Sequence, residues 1–284
     1  MIVGVLRERK LGEHRVGLIP KGASQLIQAG HTVLVENDAG VGSGFENIHY
    51  KNAGAQMCLK PEDVASRSDM VVKIKEPMEK EHHLLRLLRG KILFAYLHLA
   101  GTSPKLTDLL LKHAVTGLAY ETIEDTEGRL PLLAPMSGIA GVAAVQFAAE
   151  YLQKKHGGCG ITLGKMSGVE VARVIILGGG IAGVSAAHTA AGMGAQVTIL
   201  EKRKERVADL KKMFHGKPVS VVDSSICGIE EYLRGVHVLI GAVLSSGARA
   251  EHVISREHIL LTARGAVIVD VSIDQGGCIW GSQP

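Results

Sequence analysis

The stretch from Val174 to Glu201 restricts the possible folds more than any other part of the chain. Val174–Leu177 is a short, β-branched apolar run, and it leads directly into Gly178-Gly179-Gly180-Ile181-Ala182-Gly183. An Ala-rich stretch to Met193 follows, then a second apolar run, Gln196–Leu200, closed by Glu201. This order is strand, glycine loop, helix, strand, acid. A bare G-x-G-x-x-G means little, but in this setting each glycine has a task. Gly178 makes the sharp turn, Gly180 lets backbone approach a diphosphate, and Gly183 lets the helix lie close to the strand. The helix expected at Ala182–Met193, just past Ile181, then turns its first N–H groups toward the anion. Glu201 comes 18 residues after Gly183, where an acid is needed for the ribose hydroxyls. Its charge would repel a 2′-phosphate, which favours NAD over NADP. Arg203 is the opposing signal, since a guanidinium pairs well with phosphate. A second glycine run, Gly40-Val41-Gly42-Ser43-Gly44, also follows a strand-like segment, but its spacing is wrong and Phe45 comes next. It reads as a turn.

The same alternation extends over the whole chain. Strands are expected at Ile2–Leu6, Thr32–Glu36, Met70–Ile74, Ile92–Leu97 and Thr116–Tyr120, with helices at Lys21–Ala29, Pro61–Ser66 and Pro104–His113. A long helix, Gly141–Lys155, leads to a glycine-rich crossover at Gly157–Gly168. Beyond it, four further strands follow Val174–Leu177: Gln196–Leu200, Val219–Val222, Val236–Ala242 and Ala266–Val269. Apolar strands alternating with amphipathic helices make parallel sheets covered on both faces. The expectation is an α/β protein of two Rossmann-like domains with doubly wound, mostly parallel sheets. Residues 1–140 would form a substrate domain that carries catalysis, and residues 141–284 an NAD-binding domain.

Composition excludes several classes of function. With 32 basic and 28 acidic residues the net charge is only +4, and no basic run points to nucleic acid. No stretch of 18 apolar residues suggests a membrane span. The N-terminus goes straight into a strand, without the pattern of a secretory signal. Cys58, Cys159, Cys227 and Cys278 lack metal-ligand spacing, so no metal is expected, and free thiols in a cytoplasmic protein are the reading.

A nicotinamide cofactor needs a substrate site, and four polar residues are candidates for it. Lys75 and His98 close strand-like runs, where ligands gather in parallel sheets. Arg15 lies in an early loop, and Asp274 lies in Ile273-Asp274-Gln275-Gly276-Gly277 beyond the last strand. Taken singly, each has an ordinary explanation: a surface charge, a hydrogen-bonded structural His, an Asp in a turn. Together they supply two cations for a carboxylate, an imidazole to move protons and an Asp to assist it.

These residues stand in motifs that resemble the alanine dehydrogenase and pyridine nucleotide transhydrogenase family. The motifs are Gly12-Glu13-His14-Arg15-Val16, Val72-Lys73-Ile74-Lys75-Glu76-Pro77, Tyr96-Leu97-His98-Leu99-Ala100 and Pro131-Leu132-Leu133-Ala134-Pro135-Met136-Ser137. The glycine loop, Ile240-Gly241-Ala242-Val243-Leu244 and Val269 to Gly277 complete a resemblance that covers essentially the whole chain. It implies reversible oxidative deamination of L-alanine to pyruvate and ammonia. Arg15 and Lys75 would hold the substrate's carboxylate or carbonyl oxygen, His98 would act as acid and base, and Asp274 would position the reacting groups. Ser137, Val243 and Leu244 would join the glycine loop, Glu201 and Arg203 around NAD. His98 and Asp274 mark the dehydrogenase branch, which argues against a transhydrogenase-like subunit. The resemblance also implies a homo-oligomer, hexameric in the family.

Some positions depart from the family pattern. Leu6 stands for Pro, Gly12 for Asn and Glu201 for Asp, while Gly138 and Val142 replace a Glu and an Arg. Loss of that charged pair is expected to loosen the start of the long helix or the approach to the cofactor. Trp280-Gly281-Ser282-Gln283-Pro284 does not fit the family, whose members continue past this point, as an altered frame or splice ending would explain. The expectation is apolar surface left uncovered, at about 25 cal/mol per Å², with a catalytically impaired NAD-binding homologue as the alternative to an active enzyme.

Overall fold

Every ladder in the computed structural model pairs its strands in parallel. The structure describes all residues except 227, 245, 246, 249 and 284, and it divides into two units, Met1–Leu130 and Pro131–Pro284.

The first unit runs β1 (Ile2–Val5), α1 (Pro20–Gln28), β2 (Thr32–Glu36), α2 (Asn47–Asn52), β3 (Gln56–Cys58), α3 (Pro61–Arg67), β4 (Met70–Lys75), β5 (Ile92–Tyr96), α4 (Pro104–Lys112) and β6 (Thr116–Ala119). Its sheet has the order β3-β2-β1-β4-β5-β6. The strand order reverses between β1 and β4, and such a reversal opens a crevice at the carboxyl ends of the strands. Val33, Val35 and Tyr50 are buried on one side of the sheet, and Leu34, Leu93 and Leu97 on the other. Leu6, where a Pro was expected, is buried among the latter. Gly12 lies at φ 78°, a left-handed conformation that Gly adopts freely and Asn more readily than most side chains.

Three features of this unit are not legible in the sequence. β3 is a three-residue strand at the sheet edge, α2 is a six-residue helix, and Glu79–Leu88 forms 3₁₀ turns that bury Leu84, Leu85 and Leu88. Gly40–Gly44 is a turn as expected: Val41–Ser43 is a single 3₁₀ turn closed by Gly44 at φ 80°.

The second unit runs α5 (Ala134–Tyr151), β7 (Arg173–Leu177), α6 (Ile181–Met193), β8 (Gln196–Glu201), α7 (Lys204–Met213), β9 (Val219–Asp223), α8 (Glu230–Leu233), β10 (Val238–Gly241), α9 (Arg256–Ile259) and β11 (Val267–Asp270). The sheet order is β11-β10-β7-β8-β9, reversing between β7 and β10. The long helix starts at Ala134 rather than Gly141, because Pro135 occupies its first turn, where a missing N–H costs nothing. Gly138 and Val142 both lie inside it, so loss of the charged pair has not unmade this helix. Gly141 is a contact point, since a Cβ there would stand 2.1 Å from the Ala182 carbonyl oxygen of α6.

The last described residues are tied into this unit. Asp270 accepts hydrogen bonds from the N–H groups of Cys278 and Ile279 and from the Ser282 hydroxyl, at 2.8, 3.0 and 2.8 Å. Cys278 and Ile279 are buried, whereas Trp280 is half exposed under the Arg256 guanidinium. Cys58, Cys159 and Cys278 carry free thiols; Cys227 lies outside the described residues. Among the described residues no helix is long and apolar enough to cross a membrane, and no cluster of His, Cys, Asp or Glu is built for a metal ion.

Candidate functional site

In the second unit the glycine loop sits at the strand-order reversal. Gly178 leaves β7 at φ 95°, and a Cβ there would stand 2.6 Å from the carbonyl oxygen of Ala242, just beyond β10. Gly183 sits against the loop itself, with the Gly178 carbonyl oxygen only 2.0 Å from where its Cβ would be. Gly180 differs from both: a Cβ there would meet nothing within 4 Å. It caps α6 without any side-chain cap, and the first N–H groups of that helix, on Ile181 and Ala182, have no partner within the helix. This cradle fits a diphosphate: closed by glycine where the protein meets itself and open where an anion approaches.

Val243 and Leu244 follow β10 on the other side of the reversal, with Leu244 half exposed and the Val243 carbonyl held by the Ser272 hydroxyl at 2.6 Å. Ser137 lies in the first turn of α5, next to Gly138, whose Cβ position is 3.7 Å from Ser185 and 4.0 Å from Ile181 of α6. The structure therefore gathers Ser137, Gly178, Gly180, Ile181, Ala182, Gly183, Val243 and Leu244 around the start of α6 and the ends of β7 and β10.

Glu201 ends β8 and is buried, yet it is fully engaged with the protein's own donors. Gly179 N–H donates to it at 2.9 Å, Arg203 N–H at 2.9 Å, and the Arg203 guanidinium through Nε at 3.0 Å and Nη2 at 3.1 Å. Burial alone would raise the Glu201 carboxyl, but the Arg203 and Gly179 hydrogen bonds and the Arg203 charge outweigh it and hold it at about 2. Arg203 is thus paired with Glu201. Arg206 was not singled out by sequence reasoning; its Nε donates to the Gly179 carbonyl at 2.8 Å. Asp274 is exposed in a 3₁₀ turn, Ile273–Gln275, followed by Gly276 and Gly277 in left-handed conformations.

In the first unit Lys75 is the last residue of β4, His98 follows β5, and Arg15 lies in the loop between β1 and α1. Arg15 is aimed by Glu13, which accepts from its backbone N–H and Nε at 2.9 Å and from Nη2 at 2.6 Å. Burial works to raise the Glu13 carboxyl, but the Arg15 hydrogen bonds and charge, with a further contribution from Lys75, bring it below its ordinary value. The two cations therefore share one electrostatic neighbourhood.

Lys75 is set from below by a buried ion group that the sequence did not reveal. Lys73, 1% exposed, lies 2.8 Å from Glu81 and 3.5 Å from Glu8. Glu8 accepts from the N–H groups of Ile74 at 2.7 Å and Lys75 at 3.3 Å, which secures the end of β4. Desolvation raises the Glu8 carboxyl despite the opposing Lys73 charge.

His98 takes a left-handed backbone conformation at φ 44°, which costs a non-glycine residue about 1 kcal/mol. Glu121, another residue missed from sequence, holds it there by accepting from the N–H groups of Leu97 at 3.3 Å and His98 at 2.7 Å. The same carboxylate lies 4.0 Å from His98 Nδ1. The imidazole stacks on Tyr96 with centroids 5.7 Å apart and planes 7° from parallel. The Arg15 side chain and the backbones of Lys75 and His98 are thus each held by a carboxylate, and two of these, Glu8 and Glu121, are buried.

Comparison with known proteins adds a further set of findings. The family models described as "Alanine dehydrogenase/PNT, N-terminal domain" and "Alanine dehydrogenase/PNT, C-terminal domain" match residues 4–140 and 144–284. An alanine dehydrogenase of Staphylococcus saprophyticus is 46% identical over 277 residues, 98% of this chain and 73% of that protein. One of Methanococcus maripaludis is 43% identical over 279 residues, again 98% of this chain and 74% of the relative. A solved L-alanine dehydrogenase superposes with a TM-score of 0.87 at 43% identity, covering 100% of this chain and 77% of its own. A transhydrogenase from Sinorhizobium meliloti superposes at 0.81 with 23% identity over 100% and 82% of the two chains, a likeness of fold alone.

Proposed function

The chain belongs to the alanine dehydrogenase/PNT family, and from that premise we propose that it catalyses the reversible, NAD-dependent oxidative deamination of L-alanine to pyruvate and ammonia. The protein is an alanine-dehydrogenase-like oxidoreductase. The observation that carries the substrate reading is the set of Arg15, Lys75 and His98 in one unit, each fixed by a carboxylate at a loop or strand end.

In this reading Arg15 and Lys75 bind the substrate's carboxylate and carbonyl oxygen, with Arg15 presenting donors in a planar fork and Lys75 a point charge. NAD would lie on Gly178, Gly180, Ile181, Ala182 and Gly183, with Ser137, Val243 and Leu244 beside them and Glu201 and Arg203 toward the ribose. Bound there, it supplies a nicotinamide ring that accepts hydride from the substrate Cα. His98 takes a proton from the water that adds to the resulting substrate imine and returns a proton to the departing ammonia. Imidazole suits this double duty because its ordinary titration range spans neutral pH. Asp274 orients the reacting groups. The first unit thus handles substrate and the second the cofactor, in a cytoplasmic homo-oligomer, hexameric as in the family.

Purified protein given L-alanine and NAD, followed by NADH absorbance, tests the reading. Turnover that depends on both reactants is expected. NAD binding without turnover would overturn the enzymatic assignment and leave a dinucleotide-binding homologue.

A further inference from the structure

Both sheets carry an acid at the same register. In the first, Val5 at the end of β1 lies opposite Val35, and the next residue of β2 is Glu36. Arg7 N–H, two residues past Val5, donates to Glu36 Oε2 at 2.9 Å. In the second, Leu177 at the end of β7 lies opposite Leu200, and the next residue of β8 is Glu201. Gly179 N–H, two residues past Leu177, donates to Glu201 Oε2 at 2.9 Å. In each pair the other carboxylate oxygen takes an arginine, Arg9 on Glu36 and Arg203 on Glu201. The acids are 5% and 4% exposed.

What differs is the loop being held. Leu6-Arg7-Glu8-Arg9 contains no glycine, and no helix follows until Pro20. Glu8, three residues past Val5 as Gly180 is past Leu177, puts a buried carboxylate onto Ile74 and Lys75. There is no cradle for a diphosphate at that place, so the grip of Glu36 on Arg7 serves the backbone alone. The twin grip in the second unit has the same geometry and is reinforced from the other side. Gly179 is held at its N–H by Glu201 and at its carbonyl by Arg206. Because the peptide is planar and trans, fixing that carbonyl turns the Gly180 N–H the opposite way.

We propose that Glu201 is a positioning residue for the glycine loop, holding it in its anion-receiving form before any ligand arrives, in addition to whatever it contributes at the ribose. A diphosphate ligand stripped of its ribose hydroxyls should then depend on Glu201 nearly as much as an intact one. This deepens the NAD reading for the choice of ligand only, since the clamp itself is measurable in the empty protein.

Hydrogen exchange at residues 178–181 of the ligand-free full chain tests it, alongside calorimetric titration with ADP and 2′,3′-dideoxy-ADP. Glu201→Ala is expected to speed exchange of the Gly179 amide by about tenfold or more, as loss of a hydrogen bond to a charged acceptor does. Glu201→Gln keeps an acceptor oxygen and should retain most of that protection. Both nucleotides should weaken by a similar factor in Glu201→Ala. Unchanged exchange at Gly179, or a loss confined to ADP while the dideoxy form binds as before, overturns the proposal. If Glu201→Ala loses its cooperative melt, Glu36→Ala takes its place: exchange at Arg7 must rise, and no rise refutes the clamp. If neither nucleotide binds the parent, the NAD reading fails while the exchange data still decide this one.

Discussion

Gly180 and Gly183 lie three residues apart, yet the structure gives them opposite sensitivities to one added methyl group. At Gly183 the new Cβ would stand 2.0 Å from the Gly178 carbonyl oxygen and 3.3 Å from Ile176 Cγ2. The oxygen belongs to a planar peptide and cannot rotate away alone. The Gly178 N–H is meanwhile tied to the Leu200 carbonyl at 2.8 Å. Relief therefore requires α6 or the loop to move by about 1 Å, and forced overpacking of this kind costs about 1–3 kcal/mol. For a unit of this size that lowers Tm by roughly 2–12 °C. At Gly180 the methyl meets nothing within 4 Å, and the backbone lies at φ −72°. Gly180→Ala should leave Tm unchanged, or raise it slightly through a less flexible unfolded chain. In the proposed NAD site that methyl would nevertheless occupy the space of the diphosphate. Melting curves with NADH fluorescence titration separate the two expectations. Gly183→Ala should lose stability and binding together, whereas Gly180→Ala should keep stability and lose affinity by about tenfold or more. A Gly183→Ala protein that melts with the parent would refute the packing reasoning. A Gly180→Ala protein that binds NADH normally would show that the ligand does not use this cradle.

Three further expectations follow from the buried charges and the candidate base. Lys73→Ala leaves Glu8 and Glu81 buried without their cation and should cost about 3–5 kcal/mol in urea unfolding; a loss below 1 kcal/mol would mean the group is solvated. The Glu201 carboxyl, at about 2 in the folded protein, is depressed from an ordinary 4.5. Its contribution is therefore complete above about pH 5 and is lost as pH falls toward 2. The shift corresponds to at most about 3 kcal/mol, so the stability gap between the parent and Glu201→Gln should close over that window, and a constant gap would contradict the assignment. His98→Ala should retain NADH binding while losing alanine turnover by at least about 100-fold; retained turnover would remove His98 from the mechanism.

Much of this protein was legible before any coordinate. Alternation of short β-branched runs with amphipathic stretches is a local signal of burial on both faces, and it indicated parallel sheets in both halves. The turn at Gly178 and the close packing at Gly183 were legible because a fixed spacing of glycines after an apolar run signals both. Lys75 and His98 could be placed at strand ends because the ends of apolar runs are visible in the sequence. Elements with weak local signals escaped notice: β3 is only three residues long, and the 3₁₀ turns of Glu79–Leu88 have no regular helical spacing to detect. The start of α5 at Ala134 was marked by Pro135, a first-turn proline that the apolar pattern beginning at Gly141 obscured.

The sequence by itself determined the fold class and marked the glycine loop and the residues offered for chemistry, because those rest on local conformation and on residue type. Tertiary structure decided what holds them in place. Glu8 on Lys75, Glu13 on Arg15, Glu121 on His98 and Glu201 on Gly179 are carboxylates brought to their targets by chain geometry, three of the four from 22 or more residues away. A buried carboxylate must find donors wherever the fold provides them. Which donors those are depends on strand order and register, which no local pattern encodes.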